Sequence, residues 1–340
     1  MMLFVRPRAW WYNKVPLSIL TCLLLVDGRP VSLPVVVALL GLVGVISCVA
    51  NYGYALNELY DRDEDRRGGR ANVAESAGPR RLWIIIAMSA AAALAIAAAS
   101  AGTLGTGLTA GELLIPLAYS VPPLRTKNRE WLGVLCDATA AHVYPALLAL
   151  AIVAHQQLRA LTPLLVFTAV VWALMTGLRG ILSHQLQSEE HDLAAGLLTV
   201  VHRRGHGRVA ALVTFVILPI EVAAFASLVV QCDATAIFGL VATVFVLYEL
   251  LKFRLDAFPA MVFTRRGGHY LPFVDEGAYK VWGPLALAID AASTDRLYLT
   301  LVPAYLALFR PRVAGEWAQI RATSELVRAR VGQLVARVFG

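Results

Sequence analysis

Residues 30 to 56 contain no charged side chain. A helix of that length, rising about 1.5 Å per residue, reaches across a bilayer. Segments of similar character recur near residues 15 to 27, 32 to 56, 82 to 101, 104 to 121, 132 to 154, 161 to 186, 208 to 230, 234 to 251, 279 to 293 and 296 to 309. No soluble domain has a core that can hide so many apolar lengths. Hydrophobic residues make up 58% of the chain and mean hydropathy is +0.65, values outside the soluble globular class. The fold expected is all-α: a polytopic transmembrane helical bundle of about nine or ten spans, with a central apolar cavity open to the cytoplasmic side.

Charge sorts by side. With those spans, Arg29, Arg159 and Arg296 are the only basic residues on one face, Arg179 lies inside a span, and the rest share the other face. The positive-inside rule makes the second face cytoplasmic, with both chain ends there, and the expected location is the plasma (inner) membrane. The net charge of +7 follows from this topology and is not a nucleic-acid signature. It favours anionic membrane lipids and a diphosphate at the cytoplasmic mouth. Residues 1–14, with Trp10, Trp11 and Tyr12, suit an interfacial segment, 15–310 the bundle, and 311–340 a basic amphipathic cytoplasmic helix. Cys22, Cys48, Cys136 and Cys232 lie in or beside apolar segments without metal-ligand spacing and read as packed thiols.

Polar chemistry begins where the apolar run over 30 to 56 ends, in Asn57, Glu58, Leu59, Tyr60, Asp61, Arg62, Asp63, Glu64 and Asp65. On a continuing helix Asn57, Asp61 and Asp65 share one face. Three oxygen donors so stacked repel unless a cation lies between them, and hard oxygens suit Mg²⁺, which keeps waters and shares its shell with substrate phosphates. Interleaved Arg62, Arg66, Arg67 and Arg70 also allow a solvated mixed-charge loop. A second polar run carries Arg179, His184, Gln185, Ser188, Glu189 and Asp192, the last four on one helical face but with only two carboxylates. Between the runs, Pro122 and Pro123 end a helix and present Arg125 and Lys127. Glu112, the one acid of its span, is expected to face the protein interior or to lie near the far interface. Asp137 and His142 stand in the next span, where a hydrogen-bonded core histidine is the plainer reading.

Taken in order, these three stretches resemble the UbiA superfamily of intramembrane prenyltransferases. The first signature of that family appears over residues 57 to 65 with Glu58 in place of an aspartate, and the Tyr-Ser-x-Pro-Pro-x-Arg-x-Lys run matches over residues 119 to 127. The second signature maps to Gln185, Ser188 and Asp192, followed by Ala195, Gly196 and Thr199; Gln185 and Ser188 replace expected aspartates.

The resemblance implies an Mg²⁺-dependent enzyme that ionises an isoprenyl diphosphate, with Asp61, Asp65 and Asp192 as catalytic carboxylates. Asn57, Asp61 and Asp65 would hold one ion, and Asp192 with Ser188 or Glu189 the other. Arg66, Arg70, Arg125 and Lys127 are candidate diphosphate contacts. Tyr52, Tyr54, Tyr119, Tyr144 and Trp172 are candidates to line the prenyl cavity, and they also read as packing or interfacial aromatics. Two fates stay open for the prenyl group: transfer to an aromatic or lipid acceptor, or cyclisation without an acceptor as in membrane terpene cyclases of the same superfamily.

Overall fold

The computed structural model describes residues 4–67, 69, 71–194, 199–254 and 274–339. The described residues are all-α and contain no strand, in two compact units, residues 1–234 and 235–340. The basic stretch centred on Arg265, Arg266 and His269 lies outside the described residues.

In the first unit, α1 (Pro7–Leu25) and α2 (Leu33–Tyr60) lead to the short helices α3 (Arg62–Arg67) and α4 (Val73–Ala77), then to α5 (Pro79–Ser120). α6 (Glu130–Ala138) continues through a π turn into α7 (Tyr144–His155), and α8 (Pro163–Gln187) follows. α9 (Glu189–Ala194) and α10 (Val200–Arg204) precede α11 (His206–Leu212), which runs through a second π turn into α12 (Leu218–Gln231). α2, α5, α6 with α7, α8, and α11 with α12 make five lengths long and apolar enough to cross a membrane. Since α1 begins at Pro7, Trp10, Trp11 and Lys14 stand on the same helix as the first apolar segment.

α5 is a hairpin about Gly102. Asn51 Nδ2 donates to Ser89 Oγ at 2.9 Å, and Gly44 and Gly41 face Ile96 and Ser100, so the first half of α5 runs antiparallel to α2. Beyond Gly102 the Tyr52 hydroxyl donates to the Leu113 carbonyl at 2.9 Å and Gly53 faces Pro116, so the second half runs parallel to it. The turn residue has φ 61° and ψ −156°, a conformation open to glycine and strained for any residue with a Cβ. A Cβ there would also stand 2.8 Å from the His155 ring.

Proline explains the π turns. Pro145 and Pro219 cannot donate to the carbonyl four residues back, and their rings press on it. That carbonyl belongs to Ala141 or Phe215, inside the π turns Thr139–Val143 and Val213–Ile217. A widened turn there absorbs the clash without ending the helix.

Two polar devices brace the bundle. Arg159 donates from Nε to the Leu25 carbonyl at 2.8 Å and from Nη1 to the Gln231 carbonyl at 3.0 Å, so one cation closes the ends of α1 and α12. Between α8 and α12, buried Arg179 meets buried Glu221 in a two-bond fork of 2.6 and 2.9 Å. Removing one partner of such a pair costs about 3–5 kcal/mol, because the survivor keeps an uncompensated charge.

The second unit holds α13 (Thr235–Arg254), a π segment Val274–Trp282 running into α14 (Gly283–Ala291), α15 (Leu301–Leu308) and α16 (Arg310–Phe339). Here the Tyr305 hydroxyl donates to the Lys280 carbonyl at 2.5 Å, and Trp282 Nε1 donates to Glu316 at 3.3 Å.

Candidate functional site

α2 ends at Tyr60 with Asp61 as its cap, yet its register persists. The Asp61 amide donates to the Asn57 carbonyl and the Asp65 amide to the Asp61 carbonyl, both at 2.8 Å. Asn57, Asp61 and Asp65 therefore occupy successive turns across the bend into α3. Asn57 Oδ1 accepts from the Ser120 hydroxyl. Asp65 Oδ2 accepts from Asn72 Nδ2 at 2.7 Å, while Asn72 Oδ1 caps α4 by accepting from the Ala74 amide at 2.8 Å. Glu58 points elsewhere. It accepts from the Val73 amide at 2.5 Å and pairs with Arg6, tying the segment before α1 to this corner.

After α5 the chain passes a cis Pro122–Pro123 bond and reaches Arg125, held at φ 34°. The loop lies close on α6: a Cβ on Gly133 would stand 2.8 Å from the Thr126 carbonyl, so only glycine allows this approach. Lys127 Nζ is thereby brought 2.5 Å from Asp61 Oδ1 and 2.9 Å from Glu64 Oε2. Arg125 Nη2 lies 2.8 Å from Glu64 Oε1 and 3.3 Å from Asp61 Oδ1. Asp61 and Lys127 are only 20% and 13% exposed, so these charges act in a weaker dielectric than surface pairs do. Burial lifts the Asp61 carboxyl above the ordinary aspartate range, and the hydrogen bond and charge of Lys127 pull against that rise.

One turn below Asp61, Asn57 lines a cavity of about 160 Å³. One face of α2 supplies Ile46, Val49, Ala50, Gly53, Tyr54 and Asn57, and the second half of α5 supplies Glu112, Ile115, Pro116 and Tyr119. Both sets follow the three-and-four spacing of a helical stripe. Lys14, Cys136, Asp137, Ala140 and Pro145 complete the wall. Of the five aromatics expected at the prenyl cavity, Tyr54 and Tyr119 line this space. Tyr52 is buried against α5, Tyr144 is buried at the start of α7, and Trp172 lines a smaller neighbouring cavity with His142 and packs 5.3 Å from Phe225.

In the second polar run the acids are held by nearby side chains, while Gln185 Oε1 is buried with no hydrogen-bond partner. Ser188 Oγ donates to Asp192 Oδ2 at 2.6 Å, and Glu189 Oε2 lies 2.6 Å from His206 Nδ1. Arg179 is engaged by Glu221. Arg66 turns to Glu75 at 2.8 Å, both well exposed. Arg70, Ala195 and Gly196 lie outside the described residues.

Among the described residues no three His, Cys, Asp or Glu side chains gather as a metal cage. The donor sets are two carboxylates and an amide in the first run, and Asp192 and Glu189 with the Ser188 hydroxyl in the second. Hard oxygens in such short supply fit Mg²⁺, which keeps water and completes its shell with phosphate oxygens, and fit Zn²⁺ poorly. Glu64 and Lys14 join the site without having been singled out in the sequence. Three residues past Asp61, Glu64 shares its side of the helix, a spacing that could have marked it. Lys14 reads as one more cation of a basic N-terminus.

An acid-bearing helix end, gripped by a basic loop one turn from the cavity-lining Asn57 and set among helices apolar enough to cross a bilayer, belongs to an integral membrane protein. A profile of the UbiA prenyltransferase family matches residues 15–259, and the chain belongs to that family. A UbiA homolog from Archaeoglobus fulgidus, solved bound to DMAPP and Mg²⁺, superposes with a TM-score of 0.59 at 21% identity, covering 89% of this chain and 98% of that one. The same homolog bound to GPP and Mg²⁺ gives 0.58 at 20% identity, over 91% and 99%. The apo structure of a UbiA homolog from Aeropyrum pernix K1 gives 0.58 at 19% identity, over 85% and 99%. Likeness at these identities establishes the fold. No curated protein sequence matches the chain.

Proposed function

We propose that this protein is an Mg²⁺-dependent intramembrane prenyltransferase that ionises an isoprenyl diphosphate and passes the prenyl group to an aromatic or lipid acceptor. The observation that carries the reading is the cluster of Asp61 and Glu64 with Arg125 and Lys127, at 2.5 to 3.3 Å, one turn beyond a cavity-lining Asn57. Family membership and the diphosphates and Mg²⁺ bound by the Archaeoglobus homolog support it.

In this reading Asn57, Asp61 and Asp65 hold one ion, and Asp192 with Ser188 and Glu189 the other. Bound Mg²⁺ neutralises the negative charge that grows on the departing diphosphate. Arg125 and Lys127 would bind the diphosphate oxygens as charge-assisted donors, with Arg70 as a further contact and Arg66, paired with exposed Glu75, as a minor one. With substrate bound, Arg125 and Lys127 would exchange Asp61 and Glu64 for diphosphate oxygens, and the freed carboxylates would be available to hold the metal. Tyr54 and Tyr119 offer π-faces to the allylic cation, and a cavity walled by Val49, Ala50, Ile115 and Pro116 keeps water from it. The basic site lies on the cytoplasmic side of an inner membrane, with both chain ends on that side.

The test is incubation of membranes with geranyl, farnesyl and geranylgeranyl diphosphates and Mg²⁺, with and without a lipid and quinone extract of the host. Diphosphate release that needs both Mg²⁺ and the extract is the expected result. A cyclic hydrocarbon formed without extract replaces transfer by cyclisation, and no release under any condition overturns the reading.

A further inference from the structure

Glu112 occupies an unusual position. It is 2% exposed, it lines the cavity, and its Oε2 is buried with no hydrogen-bond partner. Lys14 lines the same cavity, so its wall carries an ammonium and a carboxylate within a bundle of apolar helices. A buried carboxylate oxygen without a hydrogen bond is costly, and hydrocarbon laid over it leaves that cost uncompensated.

The register of α2 and α5 locates this pole. Ser120 meets Asn57, Gly53 faces Pro116 and Tyr52 meets Leu113, so Glu112 stands deeper along both helices than the Asn57 and Tyr119 level. Tyr119 and Glu112 are separated by about two turns, roughly 10 Å of rise. If the diphosphate sits at Asp61, the first prenyl carbons begin near Asn57. An extended geranyl chain ends near Glu112, while farnesyl and geranylgeranyl chains reach one and two isoprene units further.

We propose that Glu112, with Lys14 beside it, is a polar floor that fixes the length of the prenyl donor, admitting chains up to geranyl and rejecting longer ones. The inference rests on the donor site proposed above and names its substrate class. The floor acts through an unmet polar oxygen. A tail that stops short leaves Glu112 Oε2 uncovered, and a tail that passes it packs hydrocarbon on an oxygen with no hydrogen bond.

The experiment measures thermal stabilisation of the purified full chain by the non-hydrolysable thiolo-diphosphates of geraniol, farnesol and geranylgeraniol with Mg²⁺, alongside kcat/KM for the three diphosphates. Wild type should favour geranyl over geranylgeranyl by at least about tenfold in kcat/KM and show the larger shift with the geranyl analogue. Glu112→Leu should reverse or erase that preference, and Glu112→Gln, of the same shape and still polar, should keep it. Wild type that binds the geranylgeranyl analogue as well as the geranyl one overturns the floor, whatever the variants do. So does Glu112→Leu with an unchanged length profile. No stabilisation by any of the analogues would instead count against the donor site itself.

Discussion

The two polar runs, residues 57 to 65 and residues 185 to 192, sit at comparable helix ends but are built differently. In the first, Asp61 is met by Lys127 and Arg125, which arrive from a loop more than sixty residues away in sequence. In the second, Asp192 is met by Ser188 and Glu189 by His206, neighbours supplied within a short stretch. The first is thus a long-range crosslink that gathers opposite charges around an oxygen-rich face. The second is a turn whose acids are held by nearby side chains, with Gln185 and Ser188 standing where the family pattern leads one to expect two more carboxylates. An anion with its metal has two cations and two acids to exchange with at the first site. At the second it finds two acids, each already held by a neighbouring side chain.

That asymmetry is open to test. Asp61→Ala should give the largest effect, a loss of turnover of roughly a hundred- to a thousandfold with membrane insertion unchanged. Full activity in this variant would end the assignment of the first run. Asp192→Ala should cost less, about tenfold, read as a rise in the Mg²⁺ concentration for half-maximal rate; a loss as deep as that of Asp61→Ala makes the runs equivalent and removes the contrast drawn here. Lys127→Met should mainly raise KM for the diphosphate, and combined with Asp61→Ala it should add little, because the two side chains act as one unit. Ser188→Asp restores a second acid beside Asp192 and should lower the Mg²⁺ requirement severalfold. An unchanged Mg²⁺ titration shows that the second run does not hold metal. Arg66→Ala should change least, within about twofold, since its guanidinium pairs with exposed Glu75 and exposed pairs contribute little.

Much of this was legible beforehand because local rules govern it. Uncharged lengths of residues fix where helices cross, and a three-and-four spacing fixes that Asn57, Asp61 and Asp65 share a face. The cations after the paired prolines were equally visible, since the motif order that resembles the family carries Arg125 and Lys127. What escaped were partnerships between distant segments. Arg66 and Lys127 are both cations near the acidic run, yet one turns to Glu75 and the other reaches Asp61, and only the path of the chain past α6 separates them. Lys14, two turns into α1, lines a cavity where a basic tail was the simpler expectation. The π turns ahead of Pro145 and Pro219 need the whole bundle to hold each helix together through a proline that would end it in isolation.

By itself the sequence determined that this protein lives in a membrane and that it is helical, because desolvating backbone and charged groups in hydrocarbon admits few alternatives. The tertiary structure alone decided which carboxylate meets which cation and which polar side chains face the cavity. Those choices depend on contacts between segments far apart in the chain, where a reversal at Gly102 or a close approach at Gly133 sets the distance.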